Sequence, residues 1–117
     1  SIFKSGKLEH LTFTANFDDP GLKFVINALK GVHMEGFLGD ELPAWIQECP
    51  VGRLSIDNCP NIKKLPTWFC KEMKQMQYLE ITKSGISDIP LNVLGLPKLL
   101  EVRFEQHRWV KTPVDDN

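Results

Sequence analysis

The chain is poor in cysteine. Cys49, Cys59 and Cys70 are the three thiols among 117 residues. An odd number without paired metal-type spacing gives no expectation of a disulfide framework, and it favours a reducing compartment. An excess of one charge is missing as well, since fourteen Lys and Arg face fifteen Asp and Glu for a net charge of -1. That excludes the basic footprint of a nucleic-acid-binding domain. Apolar residues make up 42%, which excludes the composition of a disordered chain. No apolar run approaches the roughly 20 residues of a membrane span, and no signal peptide opens the chain. No membrane contact and a cytoplasmic location are therefore expected. The length suits one domain over residues 1–117 rather than two.

What is present is periodicity. Residues 51–69 read VGRLSIDNCPNIKKLPTWF, with apolar side chains at Val51, Leu54, Ile56, Cys59, Ile62, Leu65 and Phe69. Leu54 and Ile56 alternate as in a very short strand. Cys59-Pro60-Asn61 reads as a turn, and the apolar residues after it are spaced by three. A strand, a sharp turn and a loosely helical return match the leucine-rich-repeat signature L-x-x-L-x-L-x-x-N/C-x-L, with one extra residue after Cys59. Four further copies are present: Leu8-x-x-Leu11-x-Phe13, Leu29-x-x-Val32-x-Met34, Met76-x-x-Leu79-x-Ile81 and Leu99-x-x-Val102-x-Phe104. Their steps of 21, 22, 25 and 23 residues fall inside the roughly 20–29 residues of this repeat. The returns recur too, as Leu42-Pro43-Ala44-Trp45-Ile46, Leu65-Pro66-Thr67-Trp68-Phe69 and Ile89-Pro90-Leu91-Asn92-Val93. The pattern predicts an α/β leucine-rich-repeat solenoid of about five repeats. Short parallel strands, centred near residues 11, 32, 54, 79 and 102, line its concave face. Helices and irregular turns occupy its convex side.

Between the strands, Asp18-Asp19-Pro20 reads as a helix start, with an acidic cap and proline at the first helical position. Leu22, Val25, Ile26 and Leu29 continue it at helical spacing, and Gly31 stops it. Gly36, Gly39 and Asp40 suggest a loop, with Phe37 where asparagine or cysteine is expected. Phe69, Met73 and Met76 fall on one face of the next return. After Phe104 the pattern gives way to Trp109-Val110 and a polar tail, placed to fold over Phe104. At the other end Ile2, Phe3, Leu8, Leu11 and Phe13 have no polar cap. An exposed apolar patch and self-association through that end are expected.

The phrases CPNIKKLP, LPAWI and LPTWF resemble the leucine-rich-repeat region of plant intracellular immune receptors of the nucleotide-binding type. Repeats in that family read L-x-x-L-x-I-x-x-C-P-x-L-x-x-L-P. The resemblance covers nearly the whole chain and is closest over residues 42–90. Phe37 and the single residue between Ser84 and Ile86 depart from it. It implies a non-catalytic protein-recognition module whose partner is a pathogen effector, a guarded host protein or the receptor's own switch domain. No G-x-x-x-x-G-K-[ST] loop is present, so the chain would be the repeat part of a longer protein. A ubiquitin-ligase substrate adaptor and a purely structural scaffold are the alternatives.

Reactive chemistry has little support. His10, His33 and His107 lie in three different strands with no cysteine at ligand spacing, so neither a metal nor a cofactor is expected. Cys59 sits where the chain leaves a strand and a small side chain fits inside the coil. Trp45 and Trp68 recur 23 residues apart, as stacking of coils requires. No carboxylate pair is tied to a nucleophile. Attention therefore falls on the outward strand residues, which form three columns. The first is His10, Gly31, Arg53, Tyr78 and Glu101; the second is Thr12, His33, Ser55, Glu80 and Arg103. The third is Thr14, Glu35, Asp57, Thr82 and Glu105. Arg53 and Tyr78 are of the types enriched at binding hot spots, and the acidic third column suits a basic partner surface.

Overall fold

Alternating apolar side chains at a fixed step bring the strands side by side. A computed structural model of the chain describes residues 29–111 in full and residues 10–13 by their backbone. Five strands recur as predicted: β1 (His10–Phe13), β2 (Gly31–Glu35), β3 (Arg53–Asp57), β4 (Tyr78–Thr82) and β5 (Glu101–Phe104). They pair in parallel, in sequence order and in register, so that Val32, Leu54, Leu79 and Val102 form one row. Parallel neighbours need a long crossover, and each of the three between β2 and β5 is a loop with one short helical turn. Those turns are a 3-10 segment at Ala44–Glu48, α1 (Phe69–Glu72) and α2 (Leu91–Leu94). The architecture is α/β, with a mostly parallel sheet and few helices. Among the described residues, no helix is long and apolar enough to cross a membrane.

The space between sheet and returns is filled by apolar side chains alone. Val32, Met34, Leu54, Ile56, Leu79, Ile81 and Val102 point inward from the strands. Ile46, Phe69 and Val93 meet them from the three helical turns, and Leu29, Val51, Met76 and Leu99 precede the strands as a further buried row. No polar or charged residue is buried among those described. The predicted face of Phe69, Met73 and Met76 is fully buried, although the α-helix itself ends at Glu72. Trp45 and Trp68 are half-buried against this core.

Backbone groups follow the same repeat. Lys30, Gly52 and Gln77 each offer one carbonyl to two N–H groups at the start of the next strand. At the far ends Gly36, Asn58 and Lys83 turn the chain through positive φ, at 70°, 54° and 55°. The residue that follows at the signature's N/C position differs each time. Phe37 fills the interior, and the Cys59 thiol sits 3.3 Å from the Asp57 carbonyl. The Ser84 hydroxyl accepts the Ile86 N–H at 3.1 Å. Burial pushes the Cys59 thiol above its ordinary pKa, consistent with its structural position. Gly85, the single residue between Ser84 and Ile86, stands close against the turn that follows β3. A Cβ on Gly85 would lie 2.6 Å from the Pro60 carbonyl oxygen and 2.9 Å from that of Ile62.

One strand escaped prediction. β6 (His107–Val110) folds back antiparallel on β5, pairing Val102 with Trp109 and Phe104 with His107. The turn is Glu105-Gln106, with Glu105 at φ 56°. Without asparagine or glycine it carries none of the usual hairpin signals. Trp109 packs against the core as part of this strand. Of the helix expected from Asp18 to Leu29, only Leu29 is described, buried and in no helix, and its expected stop Gly31 instead opens β2. The rest of it, the apolar N-terminal patch (apart from the backbone of Leu11 and Phe13), Thr14 and the tail 112–117 lie outside the described residues.

Two substitutions test this packing by urea unfolding. Leu54→Ala or Leu79→Ala should each cost about 2–5 kcal/mol. Gly85→Ala should cost roughly 1–3 kcal/mol, because rigid backbone must move aside. A Gly85→Ala protein as stable as the wild type would show that the neighbouring turns are not in close contact.

Candidate recognition face

Side chains that alternate with the core rows emerge on the outer face of the sheet. The register brings together the residues predicted to share columns. Gly31, Arg53, Tyr78 and Glu101 are successive partners, and so are His33, Ser55, Glu80 and Arg103. Glu35, Asp57 and Thr82 form the third column. His10 and Thr12 join the first two columns through their backbone pairing with Gly31 and His33. His33 and His107 stay apart, because β3, β4 and β5 run between their strands.

The centre of the face is an aromatic–cation pair. The Arg53 guanidinium carbon lies 4.6 Å from the Tyr78 ring centroid, inside the range of cation–π attraction. Arg53 is exposed and Tyr78 half-buried, so both remain accessible. Beside them, Glu101 is gripped from two strands. Arg103 Nε donates to Glu101 Oε2 at 2.9 Å and Arg108 Nε to the same oxygen at 3.0 Å. Arg103 and Arg108 face each other across the β5–β6 pair, where like charges repel; Glu101 relieves that repulsion. The Arg108 hydrogen bond, followed by that from Arg103, holds the Glu101 carboxyl below its ordinary pKa. Arg53, Tyr78, Glu80, Glu101 and Arg103 line an open depression of about 330 Å³. Its size sits near the bottom of the small-molecule range.

The other columns carry hydrogen bonds between strands. Ser55 Oγ donates to Glu80 Oε1 at 3.3 Å, and Thr82 Oγ1 donates to Asp57 Oδ1 at 2.9 Å. Glu105 behaves differently from its column mates. Gly36 and Asn58 donate their N–H to the carbonyls of Asp57 and Thr82 on the next strand. Lys83 has no such carbonyl opposite, and its N–H instead donates to the Glu105 carboxylate at 2.9 and 3.2 Å. Glu105 therefore completes the strand edge, a use that its expected place in the outward column did not include.

Comparison with known proteins adds no parentage. No family model, curated protein or solved structure matches the chain.

The thiols offer no poised nucleophile. Cys49 is buried, and that burial, reinforced by the Glu48 charge, pushes its pKa up to about 12. Burial also raises Cys59 and Cys70. Low pKa is what activates a cysteine, and all three shifts run the other way. On the opposite side of the molecule a groove of about 700 Å³ runs past Pro43, Trp45, Pro66 and Trp68. The recurring returns thus leave a surface furrow between them as well as contributing to the core.

Arg108 was missed because its place depends on the hairpin. The Glu101 bridge predicts a titration signature. A carboxyl whose pKa is depressed in the fold contributes stability above its unfolded pKa and loses it as pH falls through the folded value. NMR titration should place the Glu101 midpoint below that of an ordinary glutamate, and Arg108→Ala should move it upward. An unchanged midpoint in Arg108→Ala would remove this bridge from the account.

Proposed function

We propose that the chain is a leucine-rich-repeat solenoid whose outer strand face recognises another protein and carries out no catalysis. One observation carries the reading: strands recurring at 21–25-residue steps stack their outward residues into columns centred on Arg53 and Tyr78. Extended columns of this kind are how solenoids contact partners, since stacking repeats produces one continuous binding surface. Tyrosine and arginine supply the hot spots of such surfaces. Acidic side chains of the third column favour a partner that brings lysine or arginine to Glu35 and Asp57.

The resemblance of CPNIKKLP, LPAWI and LPTWF supports a plant intracellular immune receptor as the parent protein. The partner is then a pathogen effector, a guarded host protein or the receptor's own nucleotide-binding domain, and the site of action is the cytoplasm. Coding sequence upstream distinguishes this from the adaptor: a G-x-x-x-x-G-K-[ST] loop marks the receptor, an F-box the adaptor.

Calorimetry against the partner tests the face. Arg53→Ala and Tyr78→Ala should each weaken binding by roughly 1–3 kcal/mol, with thermal melting unchanged. A double variant of unaltered affinity would move the contact to another surface, with the Trp45–Trp68 groove next in line.

A further inference from the structure

The second and third columns together also contain a ligand set that spacing of histidine and cysteine does not reveal. His33 and Glu35 are two residues apart on β2 and project to the same face. Asp57 is the register partner of Glu35 on β3. One ligand atom from each of the three lies within 4.8 Å of the others. We propose that His33, Glu35 and Asp57 form an open binding site for a first-row divalent metal ion, of which zinc is the representative. This inference does not depend on protein recognition through Arg53 and Tyr78; a metal ion here takes the place of a partner's lysine or arginine at Glu35 and Asp57.

Three observations carry it. The first is distance. His33 Nε2 stands 3.5 Å from Glu35 Oε1, longer than the roughly 2.7–3.2 Å of a good hydrogen bond. Two ligands each about 2.1 Å from a tetrahedral ion stand about 3.4 Å apart, so the same gap suits a shared metal. The second is charge. Glu35 and Asp57 are carboxylates directly opposite on neighbouring strands, an arrangement that is unfavourable without a cation. Among the described residues, the arginine ion pairs of this face go to Glu101 instead. The third is support from outside the trio. Thr82 Oγ1 donates to Asp57 Oδ1 at 2.9 Å, which orients the carboxylate and leaves its second oxygen available, as hydrogen-bonded metal ligands commonly are.

The donor set selects the metal. One imidazole nitrogen with two carboxylate oxygens suits zinc, manganese or iron(II) rather than a thiolate-seeking ion. Calcium and magnesium prefer all-oxygen sites of higher coordination number. Three protein ligands on an accessible sheet leave at least one position for water, as in open zinc sites.

Calorimetric titration of the whole chain with zinc chloride tests the site, with magnesium chloride as the comparison and histidine NMR as a second readout. One zinc ion per chain is expected, with His33 imidazole signals shifting and those of His107 unmoved. His33→Ala and Asp57→Asn should each lower the affinity at least tenfold, and Thr82→Val about tenfold. Metal-free melting of each variant reports its fold separately. The proposal is overturned if the wild type takes up no zinc. It is equally overturned if zinc uptake survives His33→Ala unchanged, or if the shifting signals belong to His10 or His107.

Discussion

The interaction on which the rest depends is the burial of one apolar side chain beneath another, strand after strand. Val32, Leu54, Leu79 and Val102 occupy the same register position in successive strands. So do Met34, Ile56 and Ile81, with the half-buried Phe104 continuing their row. A slip of one residue in any pair would turn a whole inner row outward. At about 25 cal/mol per Å² of apolar surface, the penalty for that slip exceeds any gain available on the polar face. The outer columns are therefore aligned by what lies beneath them. Arg53 comes to rest on Tyr78, and Asp57 opposite Glu35, because Leu54 and Ile56 must face inward.

Hydrogen bonding follows the same rows and marks where they stop. Carbonyls of Lys30, Gly52 and Gln77 repeat one connection at each strand start. At the strand ends the ladder runs from Gly36 to Asp57 and from Asn58 to Thr82, then reaches Lys83 and the Glu105 carboxylate. β5 ends at Phe104, one register position short of the column that Glu35, Asp57 and Thr82 share. A side chain takes over where a main-chain acceptor is lacking, which keeps the N–H satisfied at the edge.

Most of the parallel sheet was legible in the sequence, because inward positions repeat both within a strand and between strands. L-x-x-L-x-I at a step of 21–25 residues specifies strand centre, inward face and neighbour together. The short returns were legible for a related reason: Pro43, Pro66 and Pro90 stand at one place in each. β6 was not, since four residues with no turn signal leave no pattern, and Arg108 was lost with it. His33, Glu35 and Asp57 were in plain view as members of adjacent columns. Considering histidines only against cysteines hid them; asking which carboxylates share a histidine's strand face would have found the trio.

The absence of any buried polar side chain among the described residues has a consequence for how this molecule varies over generations. Outward residues such as Arg53, Ser55, Glu80 and Arg103 are not part of the core, and exposed substitutions of that kind cost within about 0.5 kcal/mol. A lineage can therefore rewrite the face one position at a time while each intermediate still folds. Gly85 has no such freedom, because two main-chain oxygens stand where its side chain would be. Inheritance should thus run at two speeds in one short sequence, rapid along the columns and nearly halted at the points where neighbouring turns touch.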